Sequence, residues 1–316
     1  MIGMELIGSE DLSNKFKAVH FENGITYVKV GKYTAKIKMP LEVNKDLASL
    51  LGHVLGDGHI KKDEQHFHYT NKNKDLIEEV KLEIKNLFGI EIKEYFREEK
   101  QIYDLNFPVV IAKLLILCDF PKGRKSTQIL SIPDWIKNGS LEIKSAFIRA
   151  LFDDEAWVEI KQGGFCIGFG QNKKVELIES HKSFMEDIRI LLSGMNIYTN
   201  NVYERSRVGD SIQLGFKIVG YPNLLNFSKE ISFTSKQKLE RLLFTLDNFK
   251  QIQYSKKEAK LKVLEELKSS PLKSKEIANR LNRDQKTIWK HLNQLRKRDL
   301  VIKIGTKNKV FWKANS

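Results

Sequence analysis

Apolar residues in this chain recur first with helical spacing and then with strand alternation, and that succession occurs twice. The stretch LLGHVLGDG opens at Leu50 and IRALFDDEA opens at Ile148, 98 positions later. Each reads as an apolar helix ending in acidic residues. Alternating, strand-like residues follow: His59 to Thr70 in the first copy, and Trp157 to Phe169 in the second, the latter turning at Gly163-Gly164. An amphipathic helix comes next, Lys74 to Phe88 and Lys174 to Met195. A second hairpin then spans Ile92 to Asn106 and Tyr198 to Val219, the latter with its turn near Gly209-Asp210. A short helix closes each half. A repeat this long predicts duplicated domains and not a solenoid. The expected fold is therefore α+β, with the order αββαββα traversed twice in pseudo-symmetric halves, residues 45–140 and 141–250.

Ahead of these halves, residues 1–44 form an extension with one alternating stretch, Ile25 to Ile37, that suggests no role. From Ser255 the pattern turns to a helix reaching about Lys268, a second from Ser274 to Leu281, a turn at Asn282-Arg283, and a third from Asp284 to Arg298. Ser274 and Asp284 are residue types that cap helix N-termini. The end, LVIKIGTKNKVFWKA, is two short strands about a turn. Three helices and a hairpin within residues 255–316 predict a winged helix-turn-helix.

Charge sharpens this division. The net of +14 is uneven: residues 255–316 hold 18 Lys+Arg against 6 Asp+Glu, a net of +12, which leaves +2 for residues 1–254. A tail this basic favours a polyanion, here double-stranded DNA, over the protein contacts that winged helices also make. Its third helix carries Lys286, Lys290 and Arg296, with Gln285, Thr287 and Asn293 as types that read base edges. Lys307 and Lys309, in the hairpin turn, suit phosphate contact. Ile288, Leu292 and Leu295 form the apolar side of that helix. No run of about 18 apolar residues is present, and the start lacks a basic region followed by an apolar one. Neither a membrane span nor a signal peptide is expected. The expected location is cytoplasmic, nucleoid-associated in a prokaryote. Cys118 and Cys166 sit singly in apolar runs and read as core residues.

The candidate chemistry lies at the ends of the two repeated helices. Gly52 and Gly56 recur at i and i+4 on the first, and Ala146 and Ala150 do so on the second. Small residues at that spacing let two helices approach closely. Pseudo-twofold packing through them brings Asp57 and Glu155 together at the bottom of the interface. Adjacent carboxylates suit a hard divalent cation such as Mg²⁺.

At these residues the chain resembles the LAGLIDADG homing endonucleases, over roughly Lys45 to Asp247. Aligning the nine-letter signature puts Asp57 and Glu155 at its metal-binding acid, with Gly56 and Asp154 beside them as further ligand candidates. FPKGRKSTQILSIPDWI and GYPNLLNFSKEISFTSKQKLERL are similar to the segments that close the two repeats, which implies active-site lysines at Lys125 and Lys236. The resemblance implies a monomer whose two four-stranded sheets form a saddle over DNA. It implies hydrolysis of both strands of a long target with Mg²⁺, Mn²⁺ substituting and Ca²⁺ supporting binding without cleavage. The chain departs from the signature at His53, Leu55, Glu155 and Ala156. Ala156 stands at a helix exit, where φ > 0 is often needed and Gly meets it without strain. Two rivals keep the scaffold and change the function: a non-catalytic transcriptional regulator with the same winged helix, and an RNA splicing helper. An intein is not expected, since no splicing block follows Met1 and Ala314, not His, precedes Asn315-Ser316.

Overall fold

The computed structural model describes residues 5–39, 41–161, 164–248, 256–281, 283–305 and 310–315. It divides into a unit spanning Met1–Thr245 and a second spanning Leu246–Ser316. The first begins with β1 (Glu5–Ile7), α1 (Ser9–Lys15), β2 (Val19–Glu22), β3 (Ile25–Val30), β4 (Tyr33–Lys38) and β5 (Leu41–Glu42). β2, β3 and β4 form one antiparallel sheet, and β1 pairs with β5. The single stretch expected from Ile25 to Ile37 is thus a hairpin. Its turn passes through Gly31 at φ +60°, a conformation glycine adopts freely, and the alternation simply resumes beyond it.

The first half then runs α2 (Lys45–Leu55), β6 (Gly58–Ile60), β7 (Phe67–Asn71), α3 (Lys74–Phe88), β8 (Glu94–Arg97), β9 (Ile102–Phe107) and α4 (Val109–Leu117), with α5 (Asp134–Lys137) in the connection. The second repeats it with α6 (Leu141–Glu155), β10 (Ala156–Lys161), β11 (Gly164–Lys174), α7 (Ile178–Ser193), β12 (Tyr203–Val208), β13 (Ser211–Val219) and α8 (Tyr221–Glu230), followed by α9 (Lys236–Asp247). The sheet orders are the same, β6-β7-β9-β8 and β10-β11-β13-β12. The duplicated αββαββα order expected from the sequence is the one observed.

Helices α2 and α6 are the hinge of this symmetry. Asn44 caps α2 by accepting a hydrogen bond from the Leu47 amide at 3.0 Å, and every residue from Leu47 to Leu55 is buried. A helix buried all round must find a partner surface it can approach closely. At Gly52 a Cβ would stand 2.5 Å from the Phe147 carbonyl oxygen and 2.8 Å from Ala150 Cβ, and at Gly56 it would overlap the Asp154 side chain. The absence of side chains at these two positions is what allows the backbones to meet.

In the second unit α10 (Lys256–Leu267), α11 (Ser274–Arg280) and α12 (Gln285–Arg296) precede the hairpin β14 (Val301–Ile304) and β15 (Phe311–Ala314). Val263, Leu267, Ile277, Ile288, Leu292 and Trp312 are at the centre of its core. Leu272 extends the hairpin by exchanging backbone hydrogen bonds with Trp312 at 3.0 and 2.8 Å. Asp284 caps α12, accepting from the Thr287 amide at 3.1 Å. Ser274 does not cap α11: it is the first helical residue, and the Lys273 amide ahead of it donates to Glu276 Oε2 at 2.8 Å. The expected turns at Gly163 and Asn282 lie outside the described residues. Both cysteines are buried free thiols.

Candidate active site

Asp57 follows the end of α2 and Glu155 is the last residue of α6, and an amide side chain from the adjacent strand holds each. Asn71 Nδ2, on β7, donates to Asp57 Oδ2 at 2.9 Å. Gln171 Nε2, on β11, donates to Glu155 Oε1 at 3.0 Å and to the Leu55 carbonyl at 3.2 Å. The other oxygen of each acid accepts no hydrogen bond among the described residues. Sequence reading missed this pair of amides. Their signal was a polar residue at an inward-facing position of an otherwise apolar alternation, Phe67-Tyr69-Asn71 and Phe169-Gln171.

Asp154 plays a different part from the one the resemblance implied. Its Oδ1 accepts from Tyr69 Oη at 2.8 Å and Asn71 at 3.2 Å, and its Oδ2 meets His53 Nδ1 at 3.1 Å and accepts from the Asp57 amide at 3.2 Å. With both oxygens engaged, Asp154 locks the two helix ends together and is not left open as a ligand. The Gly56 carbonyl is likewise engaged, by Lys125 Nζ. Asp153 is fully turned away from the acids, accepting the Thr234 and Ser235 amides at 2.8 and 3.1 Å.

Two lysines cap the helix ends. Lys125 Nζ donates to the carbonyls of Val54 at 2.8 Å, Leu55 at 3.1 Å and Gly56, the last turn of α2. Its counterpart on α6 is Lys238, whose Nζ donates to the carbonyls of Phe152 at 3.1 Å and Asp153. The expected Lys236 is not brought to the site. It begins α9 with its side chain 80% exposed, paired with Asp75 at 3.0 Å. Successive helical residues step about 100° around the axis, so positions two apart point to nearly opposite sides, and Lys238 takes the inward one.

Three carboxylates meet here with two cations that donate to backbone carbonyls at the helix ends. Crowding by protein, then the negative charges of Asp154 and Glu155, push Asp57 up to about 7, against the opposing pull of Lys125 and Lys238. Burial raises Glu155 as well, while Lys125 and the Gln171 hydrogen bond oppose it. Burial lowers both Lys125 and Lys238. Two acids that resist ionisation, each with one oxygen tied and one open, fit a hard divalent cation. The Ala156 departure is harmless: φ is −96° there, and Gly58 in the first copy is not among the positive-φ residues either.

In the second unit Gln285, Lys286, Lys290 and Arg296 are exposed along α12, and Thr287 and Asn293 are half-buried. Asn293 Nδ2 is spent on the Trp289 carbonyl at 2.8 Å, and Gln285 Nε2 donates to Ser274 Oγ at 3.1 Å. Trp289, which sequence reading passed over, is 57% exposed and lines one shallow depression with Gln285, Lys286 and Lys290. Lys307 and Lys309 lie outside the described residues.

Comparison with known proteins matches residues 44–117 to the family model of the LAGLIDADG-like domain. The chain carries a LAGLIDADG-like domain. Residues 257–303 match a second model, the bacterial regulatory protein, arsR family, so the LAGLIDADG-like domain is joined to a helix-turn-helix. Among curated proteins the chain is similar to the tRNA-splicing ligase RtcB of Pyrococcus abyssi, with 27% identity over 206 residues, 59% of this chain and 22% of the ligase. The chain spans about a fifth of the length of the curated relatives it matches. Among solved structures it is similar to full-length DUF199/WhiA from Thermatoga maritima, at 13% identity and TM-score 0.43, covering 80% of this chain and 90% of that one. It is also similar to I-DmoI in complex with DNA and Mn, at 14% identity and TM-score 0.38, covering 59% and 96%. Among the described residues no helix is long and apolar enough to cross a membrane.

Proposed function

We propose that the chain is a metal-dependent DNA endonuclease, in which the LAGLIDADG-like unit cuts and the winged helix adds affinity for the duplex. The observation that carries this reading is the symmetric end of the two central helices: Asp57 and Glu155, each held on one oxygen by an amide and flanked by Lys125 and Lys238. Asp57 and Glu155 would hold Mg²⁺, with Mn²⁺ as a substitute. Such an ion supplies charge that neutralises a transferring phosphate and makes bound water a better nucleophile. Asn71 and Gln171 fix the direction of the two carboxylates. Lys125 and Lys238 hold the helix ends rigid and bring positive charge beside the place where a phosphate would sit. The chain acts as a monomer in this reading, because one copy already supplies both halves of the site.

A second reading, a regulator that binds DNA without cutting, draws support from the regulatory-protein model matched at residues 257–303. Incubating the full chain with a randomised duplex library in Mg²⁺, and separately in Ca²⁺, tests the two. Ends of defined sequence in Mg²⁺, with intact retained duplex in Ca²⁺, are expected of the nuclease. Selective retention of one sequence with no ends in Mg²⁺ or Mn²⁺ would overturn it in favour of the regulator.

A further inference from the structure

Beneath the carboxylate pair lies a second group of polar side chains that the proposed cleavage does not use. His53, in the last turn of α2, is fully buried. Glu79 and Glu83, at i and i+4 on α3, share the face turned toward it, and Glu83 is only 5% exposed. One ligand atom from each of the three lies within 4.8 Å of the others. His53 Nε2 is 3.5 Å from Glu79 Oε2. None of His53 Nε2, Glu79 Oε2 and Glu83 Oε2 makes a hydrogen bond, though all three atoms are buried. Unpaired buried polar atoms are costly, and three converging on one point call for something that satisfies them together. Glu79 and Glu83, though not His53, also line a cavity of about 270 Å³ with Ser49 and Arg149.

We propose that His53, Glu79 and Glu83 form a buried site for a zinc-class divalent ion, separate from the Asp57–Glu155 pair. One imidazole and two carboxylates leave the fourth tetrahedral position to water. At zinc–ligand distances of about 2.0 Å the ligands stand ~3.3 Å apart; the His53–Glu79 separation is already close to this, and a small inward turn of the glutamates closes the rest. The support behind the imidazole is also built. Asp154 Oδ2 faces His53 Nδ1 at 3.1 Å, the carboxylate–histidine–metal arrangement that fixes the tautomer and turns Nε2 toward the ion. Because Asp154 also accepts the Asp57 amide, the buried ion would stiffen the scaffold under the outer acids.

The competing account is an internal charge cluster in which a protonated His53 and Arg149, 3.9 Å from Glu79, balance the glutamates with no ion. The test uses the full chain carrying Asp57→Asn and Glu155→Gln, so that the outer pair cannot report. After chelation, Zn²⁺ is titrated by calorimetry while the imidazole ¹⁵N resonances are followed. One ion per chain should bind, and the His53 Nε2 resonance should move while those of the other histidines stay. Adding Asp154→Asn should weaken binding about 10–100-fold, and adding Glu83→Gln at least as much. No stoichiometric binding, or binding that leaves His53 unmoved, overturns the site. Should the Glu83→Gln chain fail to fold, the His53 resonance in the parent chain decides alone.

Discussion

Asp57 and Glu155 differ from every other acid of the site in keeping an oxygen open. Asp57→Asn or Glu155→Gln removes charge and keeps shape, so each should abolish cutting and leave duplex affinity roughly intact. A bound divalent ion contributes on the order of several kcal/mol to phosphoryl chemistry, so the cleavage rate should fall about 10³-fold or more. Normal cutting by either variant would show that the acids are misassigned. The lysines give a sharper test, because the structure and the family resemblance disagree about them. Lys238 donates to the last carbonyls of α6, whereas Lys236 is exposed and pairs with Asp75. Lys238→Met removes charge-assisted hydrogen bonds of about 1.5–3 kcal/mol, about 10- to 100-fold in rate, whereas Lys236→Met should be close to wild type. Equal effects in a single-turnover assay would refute the assignment. The sequence holds both lysines two positions apart, and only the phase of α9 chooses between them. Asn71 and Gln171 escaped for a related reason. The motif acids are offset by 98 positions, but the two amides are offset by 100, since the second hairpin runs longer. A search at the motif offset pairs Asn71 with Phe169 and sees nothing.

Among elements, the most legible were those whose periodicity ran uninterrupted. Helix α3 spans Lys74–Phe88, as its apolar spacing required, while Ile25 to Ile37 hid a tight turn at which the phase of burial changes, from Thr26 and Val28 before Gly31 to Ala35 and Ile37 after it. The α2–α6 contact was legible from Gly52 and Ala150, and its tightness sets a stability test. Gly52→Ala places a methyl against the Phe147 carbonyl and Ala150, where neither side can yield, and overpacking of this kind costs about 1–3 kcal/mol. Gly209→Ala at the β12–β13 turn meets nothing within 4 Å but sits at φ +58°, so its cost is the left-handed backbone alone, about 1 kcal/mol. Denaturant midpoints should rank Gly52→Ala well below Gly209→Ala; the reverse order would mean the helices are not held backbone to backbone. The helix α7 carries a pH test. His181 is buried, its Nε2 3.4 Å from the Gln171 carbonyl, and burial together with Lys173 lowers it from 6.5 to about 4. Below 6.5 the unfolded chain takes up a proton that the folded chain refuses until about 4, so stability is lost as pH falls through that window. Between pH 7 and 5 this amounts to about 2 kcal/mol. His181→Gln should remove that share of the acid sensitivity, and a difference between the two proteins that does not change with pH would refute it.

For the molecule as a whole, charge and chemistry are divided between the units. The acids and their lysines belong to residues 1–245, whereas the net charge of residues 1–254 is only +2 against +12 for residues 255–316. Most of the electrostatic affinity for a duplex must then come from the winged helix, through exposed cations such as Lys286, Lys290 and Arg296 on α12. Each phosphate neutralised on duplex DNA adds about 0.9 to the slope of log K against log salt. The full chain should therefore bind a selected duplex with a markedly steeper salt dependence than a chain ending near Asp247, and the shortened chain should still cut at high protein concentration and low salt, because both acids, both amides and both lysines remain. Substituting Lys286 and Lys290 by Ala in the full chain should reduce the slope by up to about 1.8 without changing the cleavage rate at saturating protein. Fluorescence anisotropy over a salt series, with single-turnover cleavage on the same duplex, reads both quantities. Equal slopes for the full and shortened chains would show that the basic unit faces something other than DNA, and a loss of cutting with the slope unchanged would show that the winged helix serves the chemistry itself.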